Sequence, residues 1–222
     1  MEVEITDKQR RKLQRAADIT SIQMLMARYV DRVSKMDVSK VFDDYFVQDS
    51  DEVSIEFYEG GEYRGAQHVR DYLAAYDGYL SDPSDKQGWM ELQLLCTPYI
   101  KLAPDGERAI GTWSLFCPAA KLATPYPCNR KQLTAIWVSG KYLCEFRKVD
   151  GVWKILKLRL VAYLRSPFEN GWTRQADCCS VPVFPDVRPD GPSRSYLYNF
   201  DYGMGNGGIE WGPYLPEDSE FE

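Results

Sequence analysis

The sequence predicts an α+β protein, with a curved antiparallel sheet wrapped around N-terminal helices and an irregular extension after it. Three observations predict this. Apolar residues recur at helical spacing from Asp18 to Tyr76, long β-branched and aromatic segments follow to Leu164, and the composition shifts to proline and glycine from Ser166 onward. Helices followed by strands joined through turn residues give the α+β order, and a sheet curved around helices leaves a cavity between them. A chain of 222 residues, 44% hydrophobic, suits one large domain, or one domain with an appendage, and buries a core without staples.

The first helix is read from DITSIQMLMARYVDRVSKMD, where Ile19, Ile22, Met26, Tyr29, Val30 and Val33 form one apolar stripe. Asp18 is its expected N-cap. DVSKVFDDYF groups Val38, Val41, Phe42 and Tyr45 as a second, short helix. VSIEFYEGGEYRG alternates and turns at Gly60–Gly61, the pattern of a hairpin. AQHVRDYLAAY places Val69, Tyr72, Leu73 and Tyr76 on one face of a third helix. Four long strands follow, WMELQLLCTPYIKL, RAIGTWSLFCP, QLTAIWVSGKYLCEFRKV and VWKILKLRLVAYL, with PDGE and VDGVW supplying hairpin turns. The last 57 residues hold 7 of the 13 prolines and 7 of the 16 glycines, yet are too aromatic for a disordered tail. Such a tail lies against its own domain, a pocket mouth or a neighbouring subunit.

Charge and motifs exclude several classes. The net charge is −6 with no basic stripe, which argues against nucleic acid as a partner. No apolar run of membrane-spanning length occurs, and the charged start MEVEITDKQRRKLQRAAD lacks the apolar core of a signal peptide. The chain is therefore read as cytoplasmic, with no membrane partner. Its six cysteines, Cys96, Cys117, Cys128, Cys144, Cys178 and Cys179, are read as buried thiols rather than disulfides. With no CxxC and His68 as the single histidine, no zinc or other metal site is expected. GMGNGG neither follows a strand nor opens a helix, so it is not a nucleotide loop.

Three segments carry a resemblance. ITSIQMLMARYVDRVSKMD is similar to the opening helix of the SnoaL-like proteins of the nuclear transport factor 2-like (cystatin-like) superfamily, with Ile22, Leu25, Arg28, Tyr29 and Asp37 at matching positions. GGEYRGAQHVRDYL is similar to that family's G-x-Y-x-G-x-x-x-I-x-x-(F/Y)-(F/L) motif, and YLCEFRKVDGVWKI resembles its late hairpin. The resemblance covers roughly residues 16–165, leaving residues 1–15 as an N-terminal arm and 166–222 as an extension packing on the domain or a neighbouring subunit. It implies a cone-shaped curved sheet around a long helix with one internal pocket. It also implies association as a homodimer or homotrimer through the sheet's open face. Members include dehydratases of ring compounds, polyketide cyclases, ketosteroid isomerases and pure binding modules, so the fold alone does not select an activity.

The departures are informative. Dehydratase-like members pair a helix carboxylate with a strand histidine; the resemblance aligns these with Ser34 and Gln93. The arginine that some carry on the last strand aligns with Ala162. Tyr29 is retained. A buried phenol can donate to a carbonyl or a departing hydroxyl, and an apolar surrounding strengthens that bond; the bland alternative is a packed ring tied to backbone. Period-two alternation puts Glu91, Gln93 and Leu95 on one strand face. Glu91 there is a candidate general acid or base, or a solvated carboxylate near the strand start, while Gln93 can bind or orient but not shuttle protons. Asp31, one turn before Ser34, is a candidate substitute for the missing acid. Tyr142, Cys144 and Phe146 share a face, which makes Tyr142 and Cys144 candidate pocket residues. Cys144 is read as a lining thiol, since no histidine activates it. Trp113, with Tyr126 beyond it, is a candidate stacking surface for a ring or a core aromatic. His68 is read as a surface or partly buried histidine without a catalytic role.

Two functions follow as expectations. One is a lyase or isomerase that needs no cofactor, acting on a small hydrophobic ring compound with Tyr29 polarising an oxygen and Glu91 or Asp31 moving a proton. The other is a non-catalytic ligand-binding or assembly-subunit member, favoured by the missing acid and histidine.

Overall fold

The computed structural model describes residues 5–57, 60–79, 88–122, 133–172, 174, 184, 186–192, 198–199 and 208–209. Helix α1 (Asp7–Ser34) starts more than two turns before the expected Asp18 cap. Thr6 caps it: the Thr6 hydroxyl accepts the Gln9 N–H at 3.3 Å, and the Gln9 side chain accepts the Thr6 N–H at 2.9 Å. This reciprocal box satisfies two N–H groups left over at a helix start. The early turns are charged on all sides and show no apolar stripe, so periodicity alone misses them. Residues 7–15 are therefore part of the helix rather than a separate arm. Further along, Ile22, Met26, Tyr29 and Val30 are buried as the stripe predicts.

Helix α2 (Val41–Tyr45) and helix α3 (Ala66–Tyr79) match the sequence reading, with Val41, Phe42, Val69, Tyr72 and Leu73 buried. The hairpin between them is β1 (Ser54–Phe57) and β2 (Gly61–Arg64). The main strands are β3 (Met90–Glu91), β4 (Leu94–Leu102), β5 (Arg108–Leu122), β6 (Leu133–Val149) and β7 (Val152–Pro167). They form one sheet in the order β2-β1-β7-β6-β5-β3, with β4 also paired to β5. The sheet is mixed rather than wholly antiparallel, because β1 runs parallel to β7, Ser54 beside Lys157 through Phe57 beside Leu160. Every other pairing in it is antiparallel. Strands β1 and β7 are far apart in sequence, so no tight turn forces them antiparallel. The β6–β7 connection is the expected Asp-Gly turn, with φ of 50° at Asp150 and 79° at Gly151, the left-handed pair a type I′ hairpin needs.

The segment read as one long strand from Trp89 is two, interrupted at Leu92–Gln93. A second irregularity falls between Cys96 and Tyr99, where Thr97 has φ of 47°. Strand β7 breaks its own alternation twice. Glu145 pairs with Lys157 but Phe146 with Ile155, and Gly140 pairs with Ala162 but Ser139 with Leu164. Each extra residue, Leu156 and then Tyr163, reverses which parity faces inward. Thus Ile155, then Leu158, Leu160 and Ala162, and then Arg165 all lie on the face that carries Phe146, Cys144, Tyr142 and Val138. That face packs against the helices as the core. Gly140 is required at the second bulge, since a Cβ there would collide with the Val161 carbonyl.

Part of the extension docks on the domain. The Glu62 N–H donates to the Gly191 carbonyl at 3.0 Å and the Asp190 N–H to the Glu62 carbonyl at 2.8 Å. Asp190 also accepts the Arg64 N–H at 2.7 Å and lies 2.9 Å from Nδ1 of half-buried His68. Phe184 packs on Tyr72 and Tyr76 of α3. Residues 189–191 thereby cover the outer edge of β2, which would otherwise offer unpaired backbone groups. Tyr126, Cys128, Cys178, Cys179 and most of GMGNGG lie outside the described residues.

Candidate active site

Helix α1 brings Tyr29 and Ser34 over the inner face of the sheet, β6 contributes Tyr142 and Cys144, and the β3–β4 break contributes Glu91 and Gln93. The break decides how these groups meet. Outside a regular strand, the buried Gln93 N–H needs another acceptor, and the Ser34 hydroxyl supplies it at 3.2 Å. The two positions aligned with the dehydratases' acid and histidine are therefore in contact here, as serine and glutamine. Around the Gln93 side chain, the Tyr142 hydroxyl donates to Oε1 at 2.6 Å, and Nε2 donates to Glu91 Oε1 at 3.2 Å. Tyr142 is fully buried, Gln93 buried and Glu91 half-buried.

Tyr29 stands edge-on to Tyr142 with ring centroids 6.1 Å apart, and edge-on to Tyr45 and Phe46 at 6.4 Å. Tyr142, Cys144, Tyr76 and Glu91 lie close enough to its hydroxyl to act on it electrostatically. Burial, followed by Cys144 and Tyr76, pushes the Tyr29 phenol well above its ordinary value, against the opposing influence of the Tyr142 hydroxyl. Tyr29 is thus a neutral hydrogen-bonding group and not a base. Burial, then the Glu145 charge, likewise pushes the Cys144 thiol up. A neutral thiol is neither nucleophile nor metal ligand, so Cys144 lines the face, as its sequence context indicates.

Two candidates fall elsewhere. Asp31 projects into solvent with its side chain 60% exposed and pairs with Lys35 at 2.7 Å. Two residues after Tyr29, it stands about 200° around the helix from the inward stripe, so it cannot replace the missing acid. Trp113 is buried beside Tyr142 in the β5–β6 register. Its ring, however, packs edge-on to Phe146 at 5.9 Å and above Gly111, where a Cβ would come within 2.8 Å. The indole therefore extends along β5 away from the end where Glu91 pairs with Ala119, and it is a core aromatic rather than part of the polar cluster.

Arg165 is the inward residue that period-two reading misses. The resemblance placed a last-strand arginine at Ala162; the bulge at Tyr163 instead turns Arg165 inward, fully buried and opposite Val138. A guanidinium stays charged at any physiological pH. It sits two residues from Pro167, whose row across the sheet runs through Ile136 and Ala119 to Glu91, so this end of the inner face carries both a cation and a carboxylate. Among the described residues no group of three or more His, Cys, Asp or Glu side chains is placed to hold a metal ion. Nor is any described helix long and apolar enough to cross a membrane.

Comparison with known proteins agrees with this architecture. No curated protein is similar enough in sequence to be matched. Among solved structures, a scytalone dehydratase-like protein from Novosphingobium aromaticivorans aligns with a TM-score of 0.54 and 12% identity, covering 82% of this chain and 99% of its own. Hexachlorocyclohexane dehydrochlorinase LinA-type3 from Novosphingobium barchaimii aligns at 0.52 and 17% identity, covering 71% and 94%. At those identities the likeness is one of fold. The model of the SnoaL-like domain matches residues 11–159, from the charged half of α1 through β7. The chain belongs to the SnoaL-like family.

Proposed function

We propose that this protein is a cofactor-independent lyase or isomerase of the dehydratase type, acting on a small, largely apolar ring compound held against Tyr29. The observation that carries this reading is the hydrogen-bonded series Tyr142–Gln93–Glu91 on the buried face of the sheet, with Tyr29 edge-on to Tyr142. It combines neutral phenols, which hold an oxygen in a surrounding of low polarity, with a carboxylate able to move a proton. Elimination takes a proton from one ring carbon and hydroxide from its neighbour. The Glu91 carboxylate takes that proton and returns it to the departing hydroxide, which leaves as water, so the carboxylate is regenerated and no external oxidant or reductant is involved. The dehydratase-like and dehydrochlorinase neighbours support an elimination on the same fold.

A non-catalytic binding or assembly role is the second reading, favoured by Ser34 and Gln93 where an acid and a histidine stand in dehydratase-like members. In either case association with a second copy is part of the proposal. The outer face carries exposed Leu92, Leu94 and Phe116, with Phe116 stacked on Trp137 at 5.3 Å. Light scattering on the purified chain tests it.

A thermal-shift screen against hydroxylated and keto polycyclic compounds decides between the readings. A ligand at 100 times its dissociation constant adds about 2.7 kcal/mol. A stabilising compound that loses water with wild type, and not with Tyr29→Phe or Glu91→Gln, supports the enzyme. A stabilising compound left unchanged supports the binding role, and no shift across the panel removes the ring-compound ligand.

A further inference from the structure

In a strand at the edge of a sheet, alternate N–H groups point away from the partner strand and need another acceptor. On β2 these belong to Glu62 and Arg64, and the extension satisfies each in a different way. Glu62 exchanges main-chain bonds with it, the N–H donating to the Gly191 carbonyl at 3.0 Å and the carbonyl accepting the Asp190 N–H at 2.8 Å. The Arg64 N–H meets a side chain instead, Asp190 Oδ2 at 2.7 Å, and that same oxygen lies 2.9 Å from His68 Nδ1. A carboxylate only accepts, so the ring turns a protonated Nδ1 towards it. Gly61, at φ of 89°, offers bare backbone to the Pro189 ring, which a Cβ would approach to 2.4 Å. A Cβ at position 191, by contrast, would meet nothing within 4 Å. The edge therefore reads the proline by fit and the aspartate by hydrogen bonds, and does not read the glycine. Phe184 adds an apolar anchor, its ring centroid 5.8 Å from Tyr72 and 6.4 Å from Tyr76 of α3.

This contact is not built like the sheet beneath it. Strands β5 and β6 pair without a break from Arg108 beside Arg147 to Leu122 beside Leu133. The Asp190 side chain, however, is 39% exposed and that of His68 28%, and an ion pair so open to water contributes little by itself. A segment held by a few partly exposed bonds opens locally at small cost while the rest of the domain stays folded. We propose that the β2 edge, with Gly61 and His68, is a docking site for an extended Pro-Asp segment, which the chain's own residues 184–191 keep occupied. Asp190 is the clasp, because one carboxylate ties the segment both to β2 and to α3. Recognition of this kind adds a strand to a sheet edge, with main-chain bonds giving affinity and side-chain contacts giving selectivity. The segment thereby holds closed an edge that would otherwise pair with another strand. The proposal stands apart from the ring-compound reading of the inner face.

Amide exchange followed by NMR in the full-length protein tests it. Asp190→Ala removes the acceptor of the Arg64 N–H but leaves that of Glu62, the Gly191 carbonyl. If Asp190 is a clasp, the segment lifts as a unit, and exchange at both Glu62 and Arg64 rises at least about tenfold, the scale of one hydrogen bond to a charged group. Unchanged exchange in β5 and β6 shows that the variant is folded. Acceleration confined to Arg64 is the loss of one local bond, and it overturns the proposal, as does no acceleration at all. His68→Phe keeps a ring edge-on to Tyr63 while removing Nδ1, and should speed the same two amides; unchanged rates remove His68 from the site and overturn the proposal. A synthetic peptide of residues 184–192 is then added to the Asp190→Ala protein. It is expected to slow Glu62 and Arg64 again, whereas the same peptide carrying Asp190→Ala is not. Equal effects of the two peptides, or no effect of either at millimolar concentration, overturn the docking site. Protection of Glu62 in wild type that rises with protein concentration would assign the occupant to a second copy and overturn the arrangement within one chain.

Discussion

Two polar clusters lie under helix α1, about three turns apart, and they are built to different ends. In the first, Asp18 accepts the Trp153 indole N–H at 2.9 Å, is paired with Lys148 at 3.0 Å and accepts from Gln14 at 3.3 Å. Lys148 also lies over the Trp153 ring at 4.8 Å. Donors, acceptor and charges close on one another, and the cluster pins the charged half of α1 to the β6–β7 hairpin. In the second, Tyr142 donates to Gln93 and Gln93 to Glu91, a series with distinct ends, a phenol packed edge-on to Tyr29 at one and a half-buried carboxylate at the other. A closed set of opposite charges has little capacity left for a ligand. A directional series of neutral groups keeps some, at a smaller contribution to stability. The comparison separates a buried polar group that holds the fold from one that serves a site.

That difference is testable from its strongest consequence downward. Asp18→Ala leaves a buried ammonium and an indole N–H without their acceptor, and removing one partner of a buried pair costs about 3 kcal/mol or more. Denaturant unfolding should show this loss while ring-compound affinity is unchanged; a loss below about 1 kcal/mol would put the Asp18 cluster on the surface energetically. Gly140→Ala forces a Cβ against the Val161 carbonyl and should cost roughly 1–3 kcal/mol. Because the adjacent bulge also turns Arg165 inward, this variant should alter ligand binding as well, unlike Asp18→Ala. Tyr29→Phe removes one buried neutral hydroxyl and should cost no more than about 1 kcal/mol in the same unfolding experiment, yet abolish most ligand-induced stabilisation. The opposite pattern, large destabilisation with binding intact, would make Tyr29 a core residue.

The pH dependence distinguishes the clusters by sign. Burial pushes the Asp18 carboxyl up, but the Trp153 N–H, Lys148 and Gln14 together hold it below the ordinary carboxylate range. A carboxyl lowered on folding contributes stability that is present above its unfolded value, about pH 4, and is lost as pH falls through the folded one. Asp18→Asn should flatten that acid limb. The phenols act at the other end. Burial pushes Tyr29 up, and burial followed by the Asp190 charge pushes Tyr63 up to about 12. A phenol raised on folding contributes stability present below its unfolded value, about pH 10, and lost as pH rises through the folded one. Tyr63→Phe should therefore flatten the alkaline limb between about pH 10 and 12. The smallest effect is chemical. Exposed Cys96 should react with a thiol-alkylating reagent at neutral pH well before buried Cys144, and mass mapping of the labelled peptides reads the order.

Much of this was legible in the sequence, for reasons that differ by residue. The stripe Ile22, Met26, Tyr29 and Val30 and the strand alternation around Tyr142 are local periodicities, and local periodicity survives into the fold whenever one face is buried. The Asp150–Gly151 turn was equally readable, because few residue pairs tolerate two left-handed conformations in succession. The first turns of α1 were not, since a polar helix beginning has a cap but no stripe. The three cysteines of the described residues divide in a way composition could not specify, with Cys117 and Cys144 buried and Cys96 exposed. Motif order carried the alignment that put Ser34 and Gln93 at the family's acid and histidine positions, but not the form of their contact, which depends on a strand break.

By itself the sequence determined the class of fold, the family, the helical stripe and the presence of Tyr29, Glu91, Gln93 and Tyr142 as groups available to a site. All of these depend on residue type and on spacings of a few residues. The tertiary structure decided the parallel seam between β1 and β7, the outward turn of Asp31, the inward turn of Arg165 and the direction of the hydrogen bonds through Gln93. Those depend on two bulges and one strand break. An extra residue in a strand reverses every side chain beyond it, and its position is set by the partner strand rather than by its own neighbours in sequence.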